Sequence, residues 1–463
     1  MPRPPAASAS GGQERSDSGS TRGLRSGRRN PAAATEVSTV RRTVLPGGLQ
    51  VVTEFVPSVR SASVGLWVNV GSRDEGPTVA GAAHFLEHLL FKATPTRTAV
   101  EIARAVDAVG GELNAFTSKE QTCYYAHVLD DDLEMAVELV ADVVLNGVCA
   151  HADVELERDV VLEEIAMRDD DPEDTLGEVF LSAMFGDHPV GRPVIGSIES
   201  VSAMTRNQLR SFHIRRYTPE RMVLAVAGNI DHDHVIAMAR EYFGARLVRG
   251  RKALPPRKGA GRPAGRPGLE LVTRDSEQTH LTLGVRVPGR HWPDRWAMSV
   301  LNNALGGGLS SRLFQEIRET RGLAYSVYSA VDTFSDSGAF SVYAGCLPER
   351  FDEVVRLTAE ILETVARDGI TEAECRIAKG SLRGGLLLGL EDSASRMNRL
   401  GRSELNYGQY RSLSSTLRHI EQVSVEQVNA VARKVLSGKF GAAVLGPHRS
   451  KRSLPHRLRT IAS

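Results

Sequence analysis

Two stretches far apart in the chain share one plan. Residues 124–140 read Tyr-Tyr-Ala-His-Val-Leu-Asp-Asp-Asp-Leu-Glu-Met-Ala-Val-Glu-Leu-Val, and residues 342–358 read Val-Tyr-Ala-Gly-Cys-Leu-Pro-Glu-Arg-Phe-Asp-Glu-Val-Val-Arg-Leu-Thr. Strand, short turn and helix follow in the same order and length. An internal repeat of this kind constrains the fold more than any single motif, because each copy must build the same layered unit. The 463 residues leave room for two to three domains.

Residues 249–268 separate the copies. They are dense in Arg, Lys, Pro and Gly, including Pro255-Pro256, and read as a solvated, extended linker. Before it, residues 49–56, 62–70, 112–117, 122–129 and 222–227 read as strands, with Lys119-Glu120 in the turn between the third and fourth. Residues 98–109, 133–145, 153–169, 175–185, 206–215 and 234–243 read as helices, the first ended by Gly110-Gly111. Residues 281–287 repeat the strand at 62–70. The expected class is α+β: two homologous domains, 41–248 and 269–446, each an antiparallel-type sheet packed with helices.

Residues 81–91 read Gly-Ala-Ala-His-Phe-Leu-Glu-His-Leu-Leu-Phe. Uninterrupted by Pro or Gly after Gly81, the run is a buried helix. His84 and His88 are four apart and share a face, so both can grip one ion. Burying three polar groups costs several kcal/mol unless something pairs them, and a metal would. Zinc takes imidazole nitrogen, and a catalytic site adds a third protein ligand and leaves room for water. Glu87 lies on nearly the same side, where a carboxylate can act as general base. In the second copy Ser299-Val-Leu-Asn-Asn303 stands in place of His84–His88, so one Zn²⁺ per chain is expected and the second domain has no metal site.

The third ligand has to come from elsewhere. Residues 153–169 form a long acidic helix in which Glu157 and Glu164 lie seven apart, two turns along one face. His-x-x-Glu-His, then about 75 residues, then Glu in a Val-Val-Leu-Glu-Glu-Ile setting resembles the inverzincin metallopeptidases, the pitrilysin and insulinase family. The length is similar to that of the mitochondrial processing peptidase branch and its bacterial relatives. The resemblance runs from about residue 40 to 446 and includes Gly-Ser-Arg-Asp-Glu at 71–75, Asn-Ala-Phe-Thr-Ser at 114–118 and His-Pro-x-Gly-Arg-Pro-Val-Ile-Gly at 188–196. It implies that Glu164 is the third ligand and Glu157 a supporting carboxylate; by counting alone Glu163 remains the alternative. Arg383 stands opposite Glu164 in the second copy.

The same resemblance implies further roles. An Arg and a Tyr seven apart polarise the scissile carbonyl in the family, and Arg318 and Tyr325 match. Asn114, Ala115 and Phe116 resemble the edge strand along which substrate lies, with Asn114 on the peptide backbone and Phe116 facing a substrate side chain. A zinc endopeptidase of the processing-peptidase type is implied, cleaving peptides or unfolded segments in a closed chamber of which one chain forms half a clamshell. A homodimer is therefore expected, or a heterodimer with a homologous subunit. The rivals are a non-catalytic core or assembly subunit and the catalytic subunit of a mitochondrial enzyme. The triple glycine at 306–308 lacks the Gly-Lys-Ser/Thr of a phosphate loop, and His127, His151 and His188 lack ligand spacing and read as structural.

Lys plus Arg is 57 and Asp plus Glu 56, so no global field favours nucleic acid or a membrane surface. No stretch approaches the roughly 20 apolar residues of a membrane span. The 4 cysteines have no paired spacing, which argues against disulfides and fits a reducing compartment. Residues 1–40 lack an apolar core pattern and read as a disordered tail. They hold no secretory signal, and Glu14, Asp17, Pro2, Pro4 and Pro5 spoil the amphipathic helix of a transit peptide. The bacterial cytoplasm is the expected location, the mitochondrial matrix the lesser alternative. Residues 447–463 read as a solvated basic tail.

Overall fold

The computed structural model describes residues 39–259, 261 and 263–462. Strands β1 (Val40–Val44), β2 (Gln50–Phe55), β3 (Ser61–Val68), β4 (Glu112–Thr117), β5 (Thr122–Leu129) and β6 (Met222–Gly228) form one sheet, ordered β1-β2-β6-β3-β5-β4. Strands β7 (Leu269–Thr273), β8 (Thr279–Pro288), β9 (Ala324–Thr333), β10 (Ser337–Cys346) and β11 (Phe440–Gly446) form the other, ordered β7-β11-β8-β10-β9. Without β1 the two orders coincide. In each half the last strand inserts between the first two, parallel to one and antiparallel to the other. The sheets are thus antiparallel except for one pair each. That pair arises because the chain returns to its first strand only after a long helical crossover.

Both inserted strands, β6 and β11, are buried at every residue. Continuous apolar runs of this kind need cover on both faces. On the first sheet, Val51, Val64, Leu66, Leu224 and Val226 face the helices Ala82–Leu90, Leu133–Asn146 and His232–Phe243. The opposite face, with Val52, Trp67, Val223, Ala225 and Ala227, is covered from the second half by Met397, Leu400 and Leu405 of helix Ser393–Tyr407. The exchange is reciprocal. Leu176, Phe180, Met184 and Phe185 of the first half's helix Pro172–Phe185 cover Ala339, Tyr343, Ala443 and Leu445 of the second sheet. Each half therefore completes the other's core. Glycines allow the close approach: a Cβ at Gly401 would lie 2.1 Å from Trp67 Nε1, and one at Gly65 2.2 Å from Met397 Sδ.

The seam between the halves also carries buried charge. Arg73 pairs with Glu120 and, at 2.9 Å, with Asp336, and it donates to Ser335 Oγ at 2.9 Å. Arg290 pairs with the same Glu120. Burial pushes the Arg290 guanidinium down to about 10.

Several expectations need correction. The expected tail at 1–40 lies outside the described residues except for its end, and Val40 already pairs with Glu54 as the first residue of an unforeseen strand. The described residues of the linker are irregular rather than extended, and they are strapped down: Arg257 donates to Asp74 at 2.7 and 2.6 Å. The described part of the expected tail, residues 447–462, is not solvated throughout. Helix His456–Ile461 returns Leu458, together with Leu454 and Ala462, to the second half's core. Its basic residues stay outside while two leucines and an alanine pack. The four cysteines are buried and unpaired. Among the described residues no helix is long and apolar enough to cross a membrane.

Candidate metal centre

In helix Ala82–Leu90 the apolar residues Ala82, Ala83, Phe85, Leu86, Leu89 and Leu90 are all buried, which leaves His84, Glu87 and His88 on the half-open side. Across from them runs helix His151–Asp170. Glu164 Oε2 lies 3.5 Å from His84 Nε2 and 3.4 Å from His88 Nε2. Donors about 2.0–2.1 Å from a tetrahedral zinc stand about 3.3 Å apart, so this spacing fits zinc. Two imidazoles and a carboxylate form the one group of at least three potential metal donors found among the described residues. The alternative by counting, Glu163, is solvent-exposed.

The surroundings tune these groups. Burial, and next the neighbouring His88, push His84 down to about 4, which keeps its imidazole in the neutral, ligating form. His88 Nδ1 meets Glu157 Oε2 at 3.2 Å, and Lys92 Nζ holds Glu157 Oε1 at 2.5 Å. Glu157 is 2% exposed. A carboxylate on the far ring nitrogen sets the tautomer that leaves Nε2 free for a metal. Burial raises the Glu87 carboxyl, while Thr117 and His88 pull it down. Glu87 Oε2 and His84 Nδ1 are buried without a hydrogen-bond partner inside the protein.

The three other motifs meet at this helix. From 114–118, Thr117 lies beside Glu87, and the Ser118 carbonyl accepts the N–H of Ser72 at 3.2 Å. From 188–196, Gly196 packs against the helix start, where a Cβ would lie 2.5 Å from the Ala80 carbonyl oxygen. From 71–75, Glu75 accepts the backbone N–H groups of Gly81 and Ala83, each at 2.7 Å. Burial pushes the Glu75 carboxyl up to about 8, against those two donors and Arg192. Both its oxygens act as acceptors, so the geometry fits the carboxylate. Sequence reading missed Glu75: it stands six residues before Gly81, beyond the reach of an ordinary cap pattern, and only the turn at 72–79 brings it back.

Asn114, Ala115 and Phe116 lie on β4, the outermost strand of its sheet. The Asn114 side chain accepts the N–H of Ala115 at 2.8 Å. Leu113 and Ala115 pack toward the motif-helix side. The Phe116 ring packs on the opposite face, 5.5 Å from Trp67 and beneath Arg402, because alternation along a strand turns neighbours to opposite faces.

Arg318 sits in a π-helical turn, Phe314–Glu319, and Tyr325 on β9. The Arg318 guanidinium lies 4.8 Å from the ring centres of both Tyr325 and Phe314. Tyr325 is 78% exposed. Among the described residues, neither has a hydrogen bond, ion pair or ring contact with His84, His88 or Glu164.

Two family models match the chain, and they meet at residues 197–203, inside the first half. Residues 50–197 match the insulinase family, peptidase family M16, and residues 203–382 match the peptidase M16 inactive domain. An uncharacterized zinc protease of Mycobacterium bovis is 74% identical over 94% of this chain and 99% of its own length. One from Bacillus subtilis is 38% identical over 88% and 98%. Among solved structures, a protease from Helicobacter pylori covers 89% of this chain and 100% of its own at 25% identity, with a TM-score of 0.83. A peptidase M16 inactive domain protein from Pseudomonas fluorescens matches at 23% identity over 89% of this chain and 98% of its own, with a TM-score of 0.81. With its whole two-sheet body shared with these relatives, the chain belongs to the insulinase family of peptidases, family M16.

Proposed function

We propose that this protein is a zinc endopeptidase that cuts extended peptides or unfolded segments. The observation that carries the reading is the approach of Glu164 Oε2 to 3.5 Å from His84 Nε2 and 3.4 Å from His88 Nε2, beside the unpartnered carboxylate oxygen of Glu87. His84, His88 and Glu164 would hold one Zn²⁺, and Glu157 would orient His88. Bound there, the metal supplies Lewis acidity, polarising a carbonyl and lowering the pKa of water. Glu87 takes the proton of the attacking water and delivers it to the leaving amine. A substrate strand adds to the open edge of β4 through its backbone, with Asn114 turning from the Ala115 amide to the peptide. The half-buried Arg318, stacked on the exposed Tyr325, donates with it to the developing oxyanion. They do so from a second copy of the chain: one chain has two similar halves, and among the described residues only the first carries the metal donors. The relatives named zinc proteases support the reading, and bacterial relatives support a bacterial cytoplasmic setting.

Metal analysis of two purified variants tests it. Glu164→Gln loses metal and peptide hydrolysis together, whereas Glu87→Gln keeps zinc and loses hydrolysis. A zinc-free Glu87→Gln or a zinc-replete Glu164→Gln overturns the assignment.

A further inference from the structure

We propose that Glu75 is a positioning residue of the metal centre, holding the N-terminal end of the motif helix so that His84 and His88 face Glu164; this rests on the metal-site reading above. The first turn of a helix leaves backbone N–H groups without intrahelical acceptors. Here the residue at the cap position is Gly81, which has no side chain to offer and takes a left-handed φ of +92°. The task passes to Glu75, whose two oxygens accept Gly81 and Ala83 at 2.7 Å. These are short bonds at the positive end of the helix dipole. Ala83 immediately precedes His84, so the backbone that Glu75 fixes is the backbone that aims the first imidazole.

The rest of the packing removes slack from this arrangement. Glu75 is 5% exposed, and no Lys or Arg lies within ion-pair distance of it among the described residues. On the other side, a Cβ at Gly81 would lie 2.5 Å from the Ile195 carbonyl oxygen, so the helix start is wedged between Glu75 and residues 195–196. The turn that carries Glu75 is itself anchored. Arg73 reaches Asp336 and Ser335 of the second half. Asp74 is gripped by Arg257 of the linker and accepts the Gly71 N–H at 3.0 Å. Gln at position 75 would keep the shape and one acceptor but set an amide NH₂ against one of the two N–H donors. The helix end would then move relative to Glu164.

The test is a chelator-competition titration of Zn²⁺ on the full chain, with visible spectra of the Co²⁺-substituted protein. Wild type, His84→Ala, Glu75→Gln and Glu75→Asp are compared. We expect Glu75→Gln to bind Zn²⁺ about tenfold or more weakly, in the range known for groups that orient metal ligands, with shifted Co²⁺ bands. Glu75→Asp, which keeps the charge but reaches one N–H, falls between; it replaces the Gln variant if that does not fold. Wild-type affinity and unchanged Co²⁺ bands in the folded variant overturn the proposal, even if its melting temperature is lower, because Glu75 then serves folding only. If wild type and His84→Ala bind zinc equally, the metal-site reading fails and the proposal with it. If His84→Ala alone loses zinc, only the role of Glu75 is refuted.

Discussion

Gly401→Ala and Gly380→Ala are the same chemical change in the interior of two helices, and the structure assigns them opposite signs. Replacing an exposed mid-helix glycine by alanine gains about 1 kcal/mol of helix propensity. Gly380, in helix Glu372–Leu388, has open space where a Cβ would stand, so it should show that gain. Gly401 lies in helix Ser393–Tyr407, where the new Cβ would come within 2.1, 2.3 and 2.4 Å of Trp67 Nε1, Cδ1 and Cε2. Carbon atoms in contact sit about 3.5–4.0 Å apart, so helix and ring must separate by more than about 1 Å. Trp67 is fully buried, with Met397 Sδ 3.4 Å from its Nε1, and cannot swing away. Overpacking of this kind costs about 1–3 kcal/mol. The propensity gain is common to both variants, so the difference between them isolates the clash. Urea unfolding of each measures it: the midpoint should rise for Gly380→Ala and fall for Gly401→Ala, about 1–3 kcal/mol apart. Equal shifts in the same direction would refute the docking of this helix on the first sheet.

Leu458→Ala removes a fully buried side chain from the C-terminal helix and should cost about 2–4 kcal/mol in the same assay; a neutral result would return the segment to solvent. Glu157→Gln should weaken zinc binding about 10–100-fold while leaving the fold intact, as read by metal titration and circular dichroism. Burial would raise the Glu374 carboxyl, but Arg312 at 2.8 Å and the cap bonds of Thr371 outweigh it and hold it at about 2. Its contribution is complete above the ordinary value of 4.5 and is lost as pH falls toward 2. The melting temperature of Glu374→Gln should therefore fall less than that of wild type between those pH values. Glu87→Gln and Arg318→Ala, each inactive alone, should regain roughly a quarter of wild-type peptidase sites when unfolded and refolded together, because random pairing makes about half the dimers mixed. No recovery, with subunit exchange verified by tags, would sink the action of Arg318 across two chains.

His84, Glu87 and His88 were legible in the sequence because their chemistry is written at helical spacing, and a helix turns that spacing into a shared face without help from the rest of the chain. Spacing put Glu157 and Glu164 on one helix face, but their roles came only from the resemblance to the inverzincin pattern, and counting left Glu163 open. The repeat was readable because strand, turn and helix are local patterns. Tertiary structure alone decided what those patterns meet. It set Glu164 rather than Glu163 against the imidazoles, since neighbours on a helix point about 100° apart and only the docking of the helix selects one. It turned Phe116 away from the motif helix and drew the basic C-terminal stretch back onto the second core through Leu454 and Leu458. It returned Glu75 to a helix start six residues downstream through a turn that no cap pattern describes. It also exchanged helices Pro172–Phe185 and Ser393–Tyr407 between the halves. An apolar helix face is satisfied by any sheet of matching shape; which sheet it covers depends on contacts across hundreds of residues, which local periodicity does not encode.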